Sequence, residues 1–283
     1  MAIKISLAAI LILLGVHPSI GAAPLTLKPE TKAAWDDYLQ AATAAMQSRL
    51  QPGAHFLWLD DEPSRAEELR ADVRTKGPYV APVTRDIPRK VPHGLIHDWL
   101  GVDFVPNAKI EDLLQVVRDY DHYKEMYRPG VIDSMTRGTD GMKDLFSMRL
   151  ANKSVVAKTA LDTDCEVSYV RVDDRHWYST SNTTHIRELD KYGSPEQRIL
   201  PEDEVTGLIW RLSSITRFEE RDGGVYVELE ALALSRDIPA AFRLFVTPIV
   251  RRVSRDSVAT SLRQTKVAVE AGKTQHAGQG SVQ

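Results

Sequence analysis

The sequence predicts an α+β protein in which an antiparallel sheet wraps around a long C-terminal helix. Runs with the two-residue period of strands follow one another after residue 93, separated by short polar turns. A helix-period pattern closes the chain, and a helical region precedes the strands. Strands joined by tight hairpins pair antiparallel, and their apolar face needs a cover, for which the last helix is the only long downstream candidate.

The charge balance and the single cysteine exclude several classes of protein. The 283 residues include 36 basic and 39 acidic side chains, for a net charge of −3. This balance gives no electrostatic argument for binding nucleic acid or an anionic membrane. One cysteine excludes a disulfide framework, and the acids beside Cys165 would raise the pKa of its thiol. We expect Cys165 to be a small buried strand residue without a role in catalysis.

The first 22 residues have the three parts of a secretory signal peptide. Lys4 supplies an early positive charge, residues 5–16 form a short apolar stretch, and small residues follow as far as Ala23. The alternative is a retained anchor, but the stretch is shorter than the ~20 residues of a membrane-spanning helix. We expect cleavage after Ala22 or Ala23 and a secreted or periplasmic protein without stable membrane insertion.

The region 24–92 is predicted to be an N-terminal helical extension that ends in a proline-rich crossing. Helices are expected at 28–50 and 63–75, where apolar residues recur at three- and four-residue spacing. Four prolines within 76–92 are expected to exclude regular structure there.

Residues 93–270 are predicted to form the sheet and the helix that it surrounds. A strand over 93–104 precedes a helix or helix pair over 109–127. Six further strands are expected at 131–137, 143–151, 154–172, 175–189, 206–220 and 225–236. The closing helix is expected in two pieces, 239–246 and 249–269, broken at Pro248, and the tail over 271–283 is expected to be disordered.

The last hairpin contains the clearest information about the interior. Asp222 and Gly223 predict a two-residue type I′ turn, which places Phe218 opposite Val227. The same register brings the opposite charges of Arg217 and Glu228 together, and a one-residue slip would scatter both faces of the hairpin.

One face of this hairpin is apolar at its ends and small in its middle. Ser214, Thr216, Ala231 and Ala233 occupy positions where a sheet packed against a helix ordinarily has large side chains. Small residues there either leave room for a ligand or let the helix approach more closely, and both interpretations stay open. An apolar space with few hydroxyls would suit a lipid, isoprenoid or polycyclic molecule.

The residues expected to line this space belong to the hairpin and to the closing helix. They are Trp210, Leu212, Ser214, Thr216, Phe218, Leu229, Ala231 and Ala233 from the sheet, and Val250, Val253, Val258 and Leu262 from the helix.

Signals for catalysis or for a metal are weak. His93 and His97 are predicted to share a strand face, but the sequence places no third ligand, and we expect neither a metal nor a cofactor. An alternative function is a cyclase- or hydrolase-like enzyme that uses a histidine or tyrosine as acid or base. It requires at least two of His97, Tyr123, His176 and Tyr178 to lie in the cavity within hydrogen-bonding reach. A third possibility is a structural module with a filled interior.

The order of elements resembles the START-like, or SRPBCC, superfamily and its helix-grip fold. The resemblance rests on 119–123 leading to 127–131, and on 235–239 leading through Pro248 into 257–262. It covers about 93–270 and leaves 24–92 outside the usual domain, as in a bacterial exported subgroup. Members include lipid and sterol carriers, coenzyme-Q-binding proteins and polyketide cyclases, and they share no universal catalytic triad. With the signal-like segment and the small-residue face of the last hairpin, the resemblance leads us to expect an exported, non-enzymatic binder or carrier of a hydrophobic ligand. The charge balance gives no reason to expect a nucleic-acid partner.

Overall fold

The structure is a computed structural model that describes residues 26–151, 160–201, 205, 209–239 and 243–279. The predicted signal peptide, residues 1–22, lies outside the described residues. So do 154–159 and 206–208, which were predicted as parts of strands.

Within the described ranges the chain forms five α-helices and ten β-strands. The helices are α1 (Pro29–Ser48), α2 (Pro63–Lys76), α3 (Ile110–Val117), α4 (Tyr123–Met126) and α5 (Arg243–Gln279). The strands are β1 (Tyr79–Pro82), β2 (Arg89–Val91), β3 (Gly94–Pro106), β4 (Val131–Asp140), β5 (Lys143–Ala151), β6 (Ala160–Arg171), β7 (His176–Asp190), β8 (Arg198–Ile199), β9 (Arg211–Arg221) and β10 (Gly224–Arg236). No sequence pattern indicated the two-residue strand β8.

All ten strands join one antiparallel sheet. Its order is β1-β3-β10-β9-β7-β6-β5-β4, with β2 beside β3 and β8 beside β7. The strands from β4 to β7 pair in the order in which they follow one another along the chain. The predicted α+β fold, an antiparallel sheet with a long C-terminal helix, is confirmed.

The register of the β9–β10 hairpin matches the prediction. Phe218 pairs with Val227, and Arg217 pairs with Glu228. Asp222 and Gly223 have φ angles of 56° and 78°, and a type I′ turn requires positive φ at both central residues.

Helix α5 packs against the sheet face that we call the inner face. The helix lies close to Gly101 of β3, where an added Cβ would be 2.6 Å from Val258 Cγ1 and 2.8 Å from Leu262 Cδ1. Further along α5, Val269 joins a core cluster with Val105. The glycine therefore lets the helix lie directly on β3.

The N-terminal extension covers the opposite face, which we call the outer face. Trp35 of α1 packs with Ile96 of β3 and Leu232 of β10. In α2, Leu69 and Val73 belong to a cluster that includes several side chains of β3 and β10. Strands β3 and β10 are thus buried on both faces of the sheet.

The prediction that 76–92 lacks regular structure is wrong. Strand β1 pairs with residues 99–102 of β3, and β2 pairs with residues 94–96. Pro82 ends β1 at the edge of the sheet, where the backbone N–H that proline lacks is not needed for pairing with a further strand.

The prediction of a broken closing helix and of a disordered tail from residue 271 is also wrong. Helix α5 continues through Pro248 and past Gly272 to Gln279. Val246 and Val250, on either side of the proline, pack in one cluster with Leu95 and Ile238, and this packing stabilises the helix where proline removes a backbone donor. Residues 280–283 lie outside the described part of the chain. None of the described helices has both the length and the apolar character needed to cross a membrane.

Candidate ligand cavity

A cavity of about 230 Å³ lies between the inner face of the sheet and the helical elements that cover it. Helix α5 contributes Val258, Ser261, Leu262, Gln264 and Thr265 to its wall. Among the described residues that line it, none is an aspartate, glutamate, lysine or arginine. The cavity is therefore apolar, with scattered hydroxyl groups and a few other uncharged polar groups.

Most residues predicted from the hairpin and the last helix line this cavity. They are Leu212, Ser214, Thr216, Phe218, Leu229, Ala231, Ala233, Val258 and Leu262. The small residues of the hairpin border open space, because Ser214, Thr216, Ala231 and Ala233 all line the cavity. The helix approaches closely at Gly101, whereas the space beside Ala231 and Ala233 remains open.

Three predicted residues do not line the cavity. Trp210 precedes the first residue of β9, so strand alternation does not extend to it, and it packs on the outer face with Trp35. Val250 packs with Leu95 near the start of β3, and Val253 is buried outside the cavity wall. Only the middle of α5 borders the cavity. The prediction that Val250 and Val253, in the first turns of the helix, also line it was wrong.

The aromatic residues around α3 and α4 form a part of the wall that the sequence prediction omitted. Tyr120 stacks on Phe146 with ring centroids 4.2 Å apart, and Tyr123 meets Tyr127 edge-on at 4.8 Å. Tyr169 of β6 completes this side. The only signal in the sequence was the aromatic end of the helix predicted over 109–127, which did not indicate the direction of its side chains.

The phenol groups of this wall already have partners. Tyr123 donates to the Val117 carbonyl at 2.5 Å, and the hydroxyls of Tyr127 and Thr265 lie 2.9 Å apart. Burial raises the pKa of Tyr127 to about 12 and that of Tyr123 well above its usual value. These side chains therefore remain uncharged near neutral pH.

Cys165 lies in the cavity wall as a buried strand residue, as predicted. Burial raises the pKa of its thiol to about 12. A thiol protonated at neutral pH is a weak nucleophile, so the position does not suit thiol catalysis.

Among the described residues, His97 is the one histidine in the wall, and it is 2% exposed. Its Nε2 lies 2.9 Å from the Ser235 hydroxyl, and burial lowers the pKa of the ring to about 4. Three buried atoms of cavity residues lack a hydrogen-bond partner among the described residues: His97 Nδ1, Trp99 Nε1 and Gln264 Oε1. The first two belong to neighbouring positions on one face of β3.

The four residues of the enzymatic alternative do not come together. His97 and Tyr123 line the cavity, but each bonds elsewhere, to Ser235 and to Val117. His176 lies 2.9 Å from Asp173 and Tyr178 packs beside Met46, both away from the cavity wall.

His93 and His97 do not share a strand face as predicted. His93 precedes β3 with a φ of 56°, is exposed, and lies 3.2 Å from Glu30. In the described part of the chain, no group of three or more histidine, cysteine, aspartate or glutamate residues is placed to hold a metal ion.

No protein-family model matches the sequence, and no curated protein matches it. The structure is similar to that of the STAR-related lipid transfer protein from Xanthomonas axonopodis, at 14% identity and a TM-score of 0.45, covering 69% of this chain and 99% of that one. It is also similar to human STARD10, at 10% identity, a TM-score of 0.43, and coverage of 82% and 89%. A third similar structure is the di-domain ARO/CYC StfQ from the steffimycin biosynthetic pathway, at 15% identity, a TM-score of 0.41, and coverage of 86% and 62%.

The architecture is the helix-grip arrangement that the sequence predicted. Its element order and its sheet topology are those that the sequence resemblance implied, with the final helix held against one face of an antiparallel sheet. The chain is thus an α+β helix-grip protein with an internal apolar cavity.

Proposed function

We propose that the protein binds and carries a hydrophobic small molecule in the cavity between the sheet and α5. The observation that carries this proposal is an internal, uncharged cavity at the positions where small side chains replace the large ones of a packed core. Evolution toward stability alone would fill such a space, because empty volume in a core costs free energy.

The chemistry of the wall narrows the class of ligand. A charged head group would lose its hydration without gaining an opposite charge, which is costly. The volume of about 230 Å³ lies just below the ~300–1,000 Å³ that is typical of ligand sites, which favours a small ligand. The ligand we propose is therefore a neutral lipid chain, an isoprenoid or a small polycyclic molecule.

A fluorescent apolar probe tests the assignment of the cavity. N-phenyl-1-naphthylamine should bind the wild-type protein with one saturable site, and Ala231→Phe should abolish that binding because the new ring fills the space beside Trp99. Ala45→Phe makes the same change at an exposed position of α1 and should leave binding intact. Equal binding by Ala231→Phe and wild type would contradict the assignment. Mass spectrometry of small molecules extracted from the native protein is the separate experiment that identifies its ligand.

Export forms the second part of the proposal. It is motivated by the signal-like pattern of residues 1–22. Amino-terminal sequencing of the protein from the exported fraction of its native cells should give a chain that begins at Ala23 or Pro24. Recovery of the chain with Met1 intact would contradict cleavage.

A further inference from the structure

Two buried polar side chains stand next to each other on the inner face of β3. His97 and Trp99 are 2% and 6% exposed, and both line the cavity. Residues two apart in a strand point to the same face about 7 Å apart, so long side chains there can reach one common atom. His97 Nδ1 and Trp99 Nε1 find no partner among the described residues.

The neighbours of this pair are the two smallest side chains of the hairpin. Ala233 pairs with His97 and Ala231 pairs with Trp99 across the β3–β10 ladder. Both alanines line the cavity as well. The small residues therefore lie beside His97 and Trp99 in the wall of the same cavity.

The contacts of Ser235 are consistent with a His97 ring that has its proton on Nε2. The Ser235 hydroxyl donates its only hydrogen to the Arg236 carbonyl at 3.1 Å. With this donation its oxygen accepts from His97 Nε2, which lies 2.9 Å away, and the subsite proposed below takes this tautomer. The ring is neutral, because burial lowers its pKa to about 4. His97 Nδ1 is then an acceptor without a hydrogen.

Trp99 has the complementary chemistry. An indole nitrogen only donates, so the pair supplies one donor and one acceptor from neighbouring positions in the cavity wall. A hydroxyl group is the smallest ligand group that satisfies both, since its oxygen accepts one hydrogen bond and its hydrogen donates another. A buried polar atom without a partner is costly, so filling both positions would favour binding.

We propose that His97 and Trp99 form a subsite for the hydroxyl group of a neutral, otherwise apolar ligand. The ligand hydroxyl donates to His97 Nδ1 and accepts from Trp99 Nε1, while its hydrocarbon part occupies the apolar remainder of the cavity. The proposal rests on the proposed function, because it assigns one end of the same ligand.

Three related probes test the subsite by calorimetric titration at pH 7. 2-Naphthol donates and accepts, 2-methoxynaphthalene only accepts, and naphthalene does neither. A plain apolar cavity would favour naphthalene, because a buried hydroxyl without partners is penalised. We expect the reverse order, with each hydrogen bond contributing about fivefold, so that 2-naphthol binds tightest and naphthalene weakest.

Variants assign the preference to the two side chains. Trp99→Phe removes the donor and His97→Phe removes the acceptor, and each should reduce the preference for 2-naphthol over naphthalene by about fivefold or more. Trp35→Phe makes the same tryptophan change in the outer-face core, so it should leave the preference unchanged.

The wild-type protein alone decides the main question, even if a variant fails to fold. Naphthalene binding as tightly as 2-naphthol, or tighter, would overturn the hydroxyl subsite and leave the apolar carrier function standing. Absence of binding by all three probes would overturn both proposals. A 2-naphthol preference that survives in folded Trp99→Phe and His97→Phe would show that other groups hold the hydroxyl, and it would overturn the assignment to these residues.

Discussion

The hydroxyl of Tyr38 in α1 donates a hydrogen bond of 2.9 Å to Asp98 Oδ2 in β3. The bond joins the N-terminal extension to the outer face of the sheet, where Asp98 is 1% exposed. Burial, followed by the charge of Glu230, raises the pKa of Asp98 to about 8, although Tyr38 and Arg217 act in the opposite direction. Docking of the extension is therefore linked to the protonation of a buried carboxyl group.

This linkage predicts a stability that falls as pH rises. The folded state holds the Asp98 proton up to about pH 8, whereas an unfolded chain releases it near pH 4. The contribution of this proton to the free energy of unfolding is therefore complete below about pH 4 and is lost as the pH rises to about 8. Between these two pH values, one such group changes the free energy of unfolding by up to about 1.4 kcal/mol per pH unit. Urea unfolding between pH 5 and 9 should show this decline in the wild type and a weaker one in Asp98→Asn. Parallel profiles for the two proteins would contradict the link.

The ion-pair cluster of the outer face predicts a large loss of stability for one substitution. Arg217 is 2% exposed and lies 2.9 Å from both Glu228 and Glu230. Arg217→Met leaves two buried carboxyl groups without their cation and should cost about 3–5 kcal/mol of unfolding free energy. Chemical denaturation measures it.

The matched control for this cluster is an exposed ion pair. Lys32 and Asp36 are both more than half exposed, so Lys32→Met should change the unfolding free energy by less than about 1 kcal/mol. Similar losses of unfolding free energy for Arg217→Met and Lys32→Met would show that the buried cluster stabilises the protein no more than an exposed ion pair does.

The close packing of α5 on Gly101 predicts that a larger residue at this position destabilises the protein. A methyl group at this position would overlap Val258 and Leu262, so Gly101→Ala should lower the unfolding free energy by about 1–3 kcal/mol and disturb the cavity wall. Gly138→Ala is the control, since a Cβ there meets nothing within 4 Å. A stabilised Gly101→Ala protein would contradict the close packing of α5.

The burial of Cys165 predicts that its thiol reacts slowly with a labelling reagent in the native protein. Its side chain is buried in β6, and burial raises its pKa to about 12. Ellman's reagent at pH 8 should label the unfolded chain within minutes and the native protein only as fast as it opens. Rapid labelling of the native protein would show an accessible, reactive cysteine instead.

Local chemistry explains why parts of the fold could be predicted. The Asp222-Gly223 turn determines the β9–β10 register, because only the correct register pairs Arg217 with Glu228. The same register identified Ala231 and Ala233 as positions beside a space. These features depend on residues close to one another in the chain.

Other parts of the site depend on contacts between distant segments. Trp210 leaves the expected face because β9 begins one residue later and α1 supplies Trp35 as its partner. Tyr120 and Phe146 meet in the wall only because α3, α4 and β5 fold over the same end of the cavity. Periodicity along one segment contains no information on such pairings.

The sequence by itself therefore determined the antiparallel sheet, the hairpin register, the closing helix and the small residues beside the cavity, because these follow from strand and helix periods and from turn chemistry. Only the tertiary structure decided that the extension covers the outer face and that His97 and Trp99 meet the cavity with unpartnered nitrogens. Burial and hydrogen-bond satisfaction are properties of the packed chain, since they depend on which distant residues come into contact.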